Sequence, residues 1–266
     1  MQERHHNRKL YYDELVQSAR EFIYPMVTQF KEPTPSLRVL EVGCGEGGNL
    51  LPFVEQGMEV VGVDLSADKI KNGCAYLAES FANERFRLIA KDITHMSASE
   101  LGGKFDVLIM RDVIEHIPDQ EIFIGKLSQF INDDAIIFIA FPPWQMPFGG
   151  HQQMIKHRYL CKAPYIHLLP WRMYRKLLQR SSCSDAAIHE LLNIKSSGIS
   201  IERFERAVHS NNLCILKRQL YLINPYYKVK FNLRPRKQLP LLRNIPVLRN
   251  FFTTSAYYIL AKHASR

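Results

Sequence analysis

The stretch VLEVGCGEGG, residues 39–48, holds two overlapping glycine patterns. Gly43, Gly45 and Gly48 spell G-x-G-x-x-G, a strand-to-helix turn that can cradle a pyrophosphate on bare backbone amides. Glu41, Gly43, Gly45 and Gly47 spell an acid-first pattern instead. With Glu41 at the strand end and Glu46 inside the loop, two carboxylates disfavour a pyrophosphate and suit a cationic ligand. Further acids recur in order along the chain. Asp64 ends VVGVD, 19 residues beyond Gly45, and can accept from both hydroxyls of a ribose. Asp92 in AKDIT can accept the exocyclic amine of an adenine whose ring Ile93 flanks.

Those features together fit S-adenosylmethionine, whose ammonium and sulfonium are both positive at neutral pH. Methyl transfer from a sulfonium is an in-line displacement, so the protein must mainly align the acceptor and, where needed, take its proton. Glu115 and His116 are the first candidates for that proton, because His titrates near neutrality and a neighbouring carboxylate raises its basicity. His151, in PFGGHQQ, is the second. The tetrapeptide FPPW (141–144) is similar to the motif with which amino-methylating DNA enzymes hold a base. Phe141 has no carbonyl to accept an amine proton there, so the segment reads as a rigid turn with Trp144 as an apolar wall. No metal ligands are assigned, since His151 and His157 lack a ligand spacing.

The elements that must position these residues follow from hydrophobic patterning. Apolar residues from Leu15 to Phe30 at helical spacing predict a leading helix over 11–30. LRVLEV (37–42), EVVGVD (59–64), RFRLIA (85–90), FDVLIM (105–110) and AIIFIAF (135–141) are branched-apolar runs without clean alternation, as strands covered on both faces require. Helical segments at 50–56, 66–81 and 120–130 separate them. Strand alternating with helix implies right-handed crossovers and a doubly wound, mostly parallel sheet. Past residue 142 regularity breaks, with helix-like pieces at 154–161, 170–181 and 185–193. A capped helix at SIERFERAVHSNN and a strand at 213–223 follow, and the final run SAYYILAKH suits a closing strand at least as well as a helix.

The runs EVGCGEG (41–47), VVGVDLS (60–66), AKDI (90–93) and FDVLIMRDVIEHIPD (105–119) resemble the successive motifs of class I S-adenosylmethionine-dependent methyltransferases, particularly the ubiquinone-biosynthesis-like branch. The resemblance covers residues 36–141 and the helix and strand near 200–223. It implies an α/β, Rossmann-like, seven-stranded sheet with an antiparallel last strand. It also implies that Glu41, Gly43, Gly45, Asp64, Asp92 and Arg111 surround the cofactor, although position 111 departs from the apolar residue common there. Cys44, Leu65 and Ile93 join them as neighbours in the same loops. The expected organisation is one domain over 1–266, with its core at 36–141 and 200–266, an inserted helical lid at 142–199 and a basic loop at 224–254. PFGG-H and the insert are also similar to methyltransferases of surface glycans.

Composition sets the rest. Five scattered cysteines form no C-x-x-C pair and suggest reduced thiols. No membrane-spanning run or secretory start is evident, so the expected location is cytoplasmic, with peripheral contact at the inner membrane face left open. Residues 1–150 carry 14 Lys and Arg against 22 Asp and Glu, while residues 151–266 carry 21 against 4. Segments 142–199 and 224–254, at +6 and +7, are expected to overhang the acceptor and to orient an anionic one. The expected acceptor is a small molecule, glycan or lipid-linked intermediate methylated on oxygen, and the expected product is S-adenosylhomocysteine. Nucleic acid as acceptor, a non-catalytic binding module and a nicotinamide enzyme are the alternatives. The oligomeric state stays open.

Overall fold

In the computed structural model, which describes residues 7–79, 81 and 85–263, the five branched-apolar runs lie side by side as parallel strands. They are β1 (Arg38–Val42), β2 (Glu59–Asp64), β3 (Phe86–Ala90), β4 (Phe105–Arg111) and β5 (Ile131–Phe141). Alternate side chains sort to opposite faces. Leu40, Val42, Leu108, Met110, Ile137 and Ile139 enter one core, with Phe123, Leu127 and Phe204. Val39, Val107, Ile109, Ile136 and Phe138 enter the other, with Ile23, Val27, Phe53 and Leu77. Each such side chain contributes about 1.5–3 kcal/mol on burial, which is why both faces of these strands are apolar.

β6 (Leu213–Ile223), β7 (Arg236–Lys237) and β8 (Ser255–Lys262) complete the sheet, in the order β3-β2-β1-β4-β5-β8-β6-β7. β8 is antiparallel to both β5 and β6, so β6 runs parallel to β5. The antiparallel closing strand is as expected, but the sheet has eight strands instead of seven. The extra one is the two-residue β7, which pairs Arg236 and Lys237 with Ile223 and Tyr221 inside the segment expected to be a loop.

The leading helix runs from α1 (Arg8–Ser18) through a π-turn (Ala19–Ile23) into α2 (Tyr24–Thr28). α3 (Leu51–Glu55), α4 (Ala67–Ala78) and α5 (Gln120–Leu127) are the crossovers. The insert contains α6 (Trp171–Gln179) and α7 (Asp185–Ser197). The helix-like piece expected at 154–161 is instead two 3-10 turns, Gln152–Met154 and Leu160–Lys162. Ile155, Tyr174, Leu178 and Leu191 give the insert a small core of its own. The buried His167 Nε2 lies 2.7 Å from the Trp144 carbonyl, and Lys195 Nζ donates to the carbonyls of His167 (2.7 Å) and Leu169 (3.0 Å). Trp144 therefore packs into the insert against His167 and lines neither cavity described below.

α8 (Ile201–Ser210) is capped by Ser200, whose hydroxyl accepts from the Arg203 amide. α9 (Tyr226–Phe231) and α10 (Leu248–Phe251) lie in the connection between β6 and β8. That connection is tied down by Arg249, which reaches Glu202 at 2.8 Å and Glu205 at 2.9 Å. The arrangement leaves the carboxyl ends of β1–β6 at one edge, beneath the insert and the α9–α10 connection.

Candidate functional site

A cavity of about 570 Å³ opens at the carboxyl ends of β1–β4. The glycine loop forms its floor. Gly43, Gly45 and Gly47 have φ of +72°, +55° and +79°, so the left-handed positions belong to the acid-first pattern. Gly48 instead meets α1, where an added Cβ would stand 2.8 Å from the Leu15 Cβ and 2.9 Å from the Tyr12 carbonyl. The loop is held at the neighbouring strand by the Gly43 and Cys44 amides, which donate to the Val63 carbonyl. Asp64 completes the turn: Oδ2 accepts from the Gly45 amide and Oδ1 from the Ser66 amide, both at 2.9 Å.

Eight of the nine residues expected around a cofactor line this cavity: Gly43, Cys44, Gly45, Asp64, Leu65, Asp92, Ile93 and Arg111. Glu41 does not. It is buried beneath the loop, where its Oε1 accepts from Asn49 Nδ2 at 2.7 Å. Asn49 Oδ1 in turn accepts from Arg111 Nη1 at 3.2 Å, and the same nitrogen reaches Ser18 Oγ at 3.3 Å. Burial pushes the Glu41 carboxyl up to about 8, against the pull of Asn49 and Arg111. The chain of polar contacts explains why Arg111 replaces an apolar residue: it anchors Asn49 and α1 and stacks its guanidinium 5.0 Å from the Tyr226 ring centroid. Asp92 Oδ1 accepts from the Thr94 amide at 2.8 Å and hydroxyl at 2.7 Å; burial opposes the shift, but these bonds hold its carboxyl below the usual range.

Sequence patterning missed several contributors. Tyr11 and Leu15 of α1 form part of the wall, and Glu190 and Asn193 of α7 close it from the insert. Nothing in the motifs signals them, because helix docking brings them in. Glu46 lies on the wall with its side chain fully buried and Arg8 Nη1 at 3.5 Å from Oε1.

A second cavity of about 650 Å³ adjoins the first, sharing Tyr11, Lys69, Asp112 and His116 with it. The two late connections wall it: Pro142, Met146, Phe148, His151 and Cys161 from one, Tyr226, Tyr227, Lys230, Phe231 and Thr254 from the other. The overhang expected from topology is thus present. Its charge is distributed otherwise. Of the 15 Lys and Arg in segments 142–199 and 224–254 (8 and 7), Lys230 alone lines this cavity among the described residues; Arg8 and Lys69 come from outside the segments.

Glu115, His116 and His151 come together here although 35 residues separate the last two in sequence. Their candidate donor atoms all lie within 4.8 Å of one another, and the imidazole rings of His116 and His151 are 5.1 Å apart, tilted by 55°. Asp112 and His151 sit in left-handed backbone, with φ of +53° and +51°, which turns both loops inward. His116 Nδ1 also lies 3.4 Å from Glu190 Oε1. Burial, then the nearby Asp112, pushes the Glu115 carboxyl well above the carboxylate range. Burial, then His116, pushes His151 down to about 4 and keeps it neutral.

A family profile described as a methyltransferase domain matches residues 5–183, two thirds of the chain. The chain belongs to the class I S-adenosylmethionine-dependent methyltransferases. It is 33% identical over 109 residues to a ubiquinone biosynthesis O-methyltransferase of Mesorhizobium japonicum, a stretch covering 41% of this chain and 42% of that one. A protein of the same description from Chelativorans is 30% identical over 109 residues, again 41% and 42%. The match thus spans less than half the length of these relatives. Among solved structures, the fold is similar to magnesium protoporphyrin IX methyltransferase from Synechocystis with bound S-adenosylmethionine, at TM-score 0.52 and 14% identity, covering 94% of this chain and 80% of that one. It is also similar to geranyl diphosphate C-methyltransferase from Streptomyces coelicolor, solved with Mg²⁺, geranyl diphosphate and S-adenosylhomocysteine, at TM-score 0.56 and 14% identity, covering 92% and 81%. At 14% identity the likeness to both is one of fold.

Proposed function

We propose that this methyltransferase binds S-adenosylmethionine in the first cavity and passes its methyl group to an oxygen of a small-molecule, glycan or lipid-linked acceptor in the second. One observation carries the proposal: the two cavities meet at Tyr11, Lys69, Asp112 and His116, and the first is edged by more carboxylates than cations. Glu46, Asp64, Asp92, Asp112 and Glu190 face Lys69, Lys91 and Arg111, an environment that favours a cationic donor.

In this reading Gly43, Cys44 and Gly45 let the donor approach the backbone, Asp64 takes the ribose hydroxyls, and Asp92 takes the adenine amine between Ile93 and Leu65. Glu41 and Arg111 act through Asn49, fixing the loop. The acceptor lies against Tyr226, Tyr227 and Phe148, and Lys230 and Lys69 offer a cationic seat for an anionic group on it. In the displacement the sulfur–carbon bond breaks as the carbon–oxygen bond forms, and the hydroxyl proton passes to His116, the one member of the His116–His151–Glu115 group that faces both cavities. Glu115 and neutral His151 shape the imidazole's surroundings. Calorimetry with S-adenosylhomocysteine and a labelled-methyl assay on extract fractions test the proposal. Binding without any transfer would favour a binding module, and transfer confined to a nucleic-acid fraction would favour the nucleic-acid alternative.

A second reading concerns where the acceptor comes from. Leu233, Leu239, Leu241, Ile245 and Val247 are exposed, Leu241 at 83%, and exposed Arg234, Arg236, Lys237 and Arg243 alternate with them. Apolar side chains interleaved with cations suit an anionic lipid surface, and no helix among the described residues is long and apolar enough to cross one. Sedimentation with anionic and neutral liposomes, repeated after neutralising Arg234, Arg236 and Lys237, tests this; equal binding in every case removes it.

A further inference from the structure

We propose that Glu115, His116 and His151 hold a divalent transition-metal cation of the zinc type at the mouth of the second cavity. The inference deepens the proposed function, resting on its assignment of that cavity to the acceptor.

Three observations carry it. The donor set is two imidazoles and one carboxylate, which suits Zn²⁺ and its neighbours and leaves a coordination position open. The donor atoms lie within 4.8 Å of one another, while ligands about 2 Å from a common ion stand about 3.3 Å apart in tetrahedral geometry. Closing that gap takes a shift of about an ångström, available to the half-exposed His116 ring. Most telling, Glu115 is 5% exposed, yet neither carboxyl oxygen has any hydrogen-bond partner, and neither does the buried Nδ1 of His151. Buried polar atoms are rarely left unpaired, because each costs about 1–3 kcal/mol. The residues that carry these orphans belong to the same cluster of candidate donors. Their supports are fixed: the Ser197 hydroxyl donates to the Glu115 carbonyl, and Gln120 Nε2 donates to the Ile114 carbonyl at 3.1 Å.

With the cation bound, an acceptor hydroxyl takes the open position, its pKa falls, and its proton goes to water in the open cavity. In that state His116 serves as a ligand, and water replaces it as the proton acceptor that the proposed function assigns to the metal-free site.

The test uses the full, tag-free chain, stripped with chelator and titrated with Co²⁺. The expected result is one equivalent bound per chain with a visible d–d band, displaced by Zn²⁺. E115Q and H151A should each weaken Co²⁺ binding by at least about tenfold, while H157A leaves it unchanged. S-adenosylhomocysteine binding is measured on each sample to verify the fold. Absence of the band and of stoichiometric binding in a chain that still binds S-adenosylhomocysteine overturns the metal site alone, as does unchanged Co²⁺ affinity in both E115Q and H151A. A chain that binds neither Co²⁺ nor S-adenosylhomocysteine overturns the metal site and the proposed function together.

Discussion

The Asp64 carboxylate accepts the Gly45 amide at 2.9 Å, joining the end of β2 to the glycine loop after β1. The same carboxylate accepts from Ser66 at the head of α4, so one side chain sets the edge of the first cavity. D64N removes the charge and replaces one of the two acceptor oxygens with an amide donor. Bonds to a charged acceptor are worth about 1.5–3 kcal/mol, so its affinity for S-adenosylhomocysteine should fall by roughly 10- to 100-fold in calorimetry, and the thermal midpoint of the free protein should drop as well because one of the two backbone amides loses its acceptor.

Gly43 has left-handed backbone, and a Cβ there would stand 2.3 Å from Val113 Cγ2. G43A should cost about 1–3 kcal/mol of stability. Adding V113A relieves the clash but not the strained φ. Urea unfolding of both variants should therefore show partial recovery.

The patterning that made this loop legible worked because glycine spacing and strand-end acids are local. β2 spans the residues expected, since a branched apolar run buried on both faces has few alternatives; β6 does so as well, although only Leu213 and Leu220 of it are buried. β7 could not be read: two exposed basic residues carry no hydrophobic period and owe their strand geometry to pairing with β6. The π-turn at Ala19–Ile23 was hidden because apolar spacing there fits an α-helix equally well. Glu41 was placed on the cavity wall because strand alternation gives a facing direction but not a depth, and Asn49 lies between it and Arg111. The meeting of Glu115 and His151 depends on how the insert folds back, which no local pattern encodes.

Glu41 should leave a pH signature. Its ordinary value is 4.5 and burial pushes it up to about 8. Below 4.5 both folded and unfolded chains hold the proton, so the full stability is present. Between 4.5 and about 8 the unfolded chain releases it while the folded chain does not, and stability falls as pH rises. E41Q lacks that slope. Its stability relative to the parent should increase across this window, by on the order of a few kcal/mol, measured by urea unfolding at a series of pH values.

Glu202 works in the opposite sense. Burial pulls its carboxyl up, but the Val247 amide, the Asn250 side chain and Arg249 outweigh that and lower it to about 2. Its contribution is present above 4.5 and is lost as pH falls toward 2. The group is partly exposed, so E202Q should cost only about 1–2 kcal/mol near neutrality. The difference from the parent should vanish in acid, and thermal melts from neutral pH downward would follow it.

His116 faces both cavities, and its truncation separates chemistry from donor binding. H116A should lower the methyl-transfer rate by about 10²- to 10⁴-fold while leaving the affinity for S-adenosylhomocysteine within about twofold. Equal losses in both would assign His116 to the cofactor site instead.

The carboxylate-edged crevice is probed most directly by calorimetry of the intact chain against S-adenosylmethionine and NAD⁺ under the same conditions. The account requires saturable binding of the sulfonium donor, weakened in D64N, and no heat from the dinucleotide. Tight NAD⁺ binding with none of the sulfonium donor would contradict it.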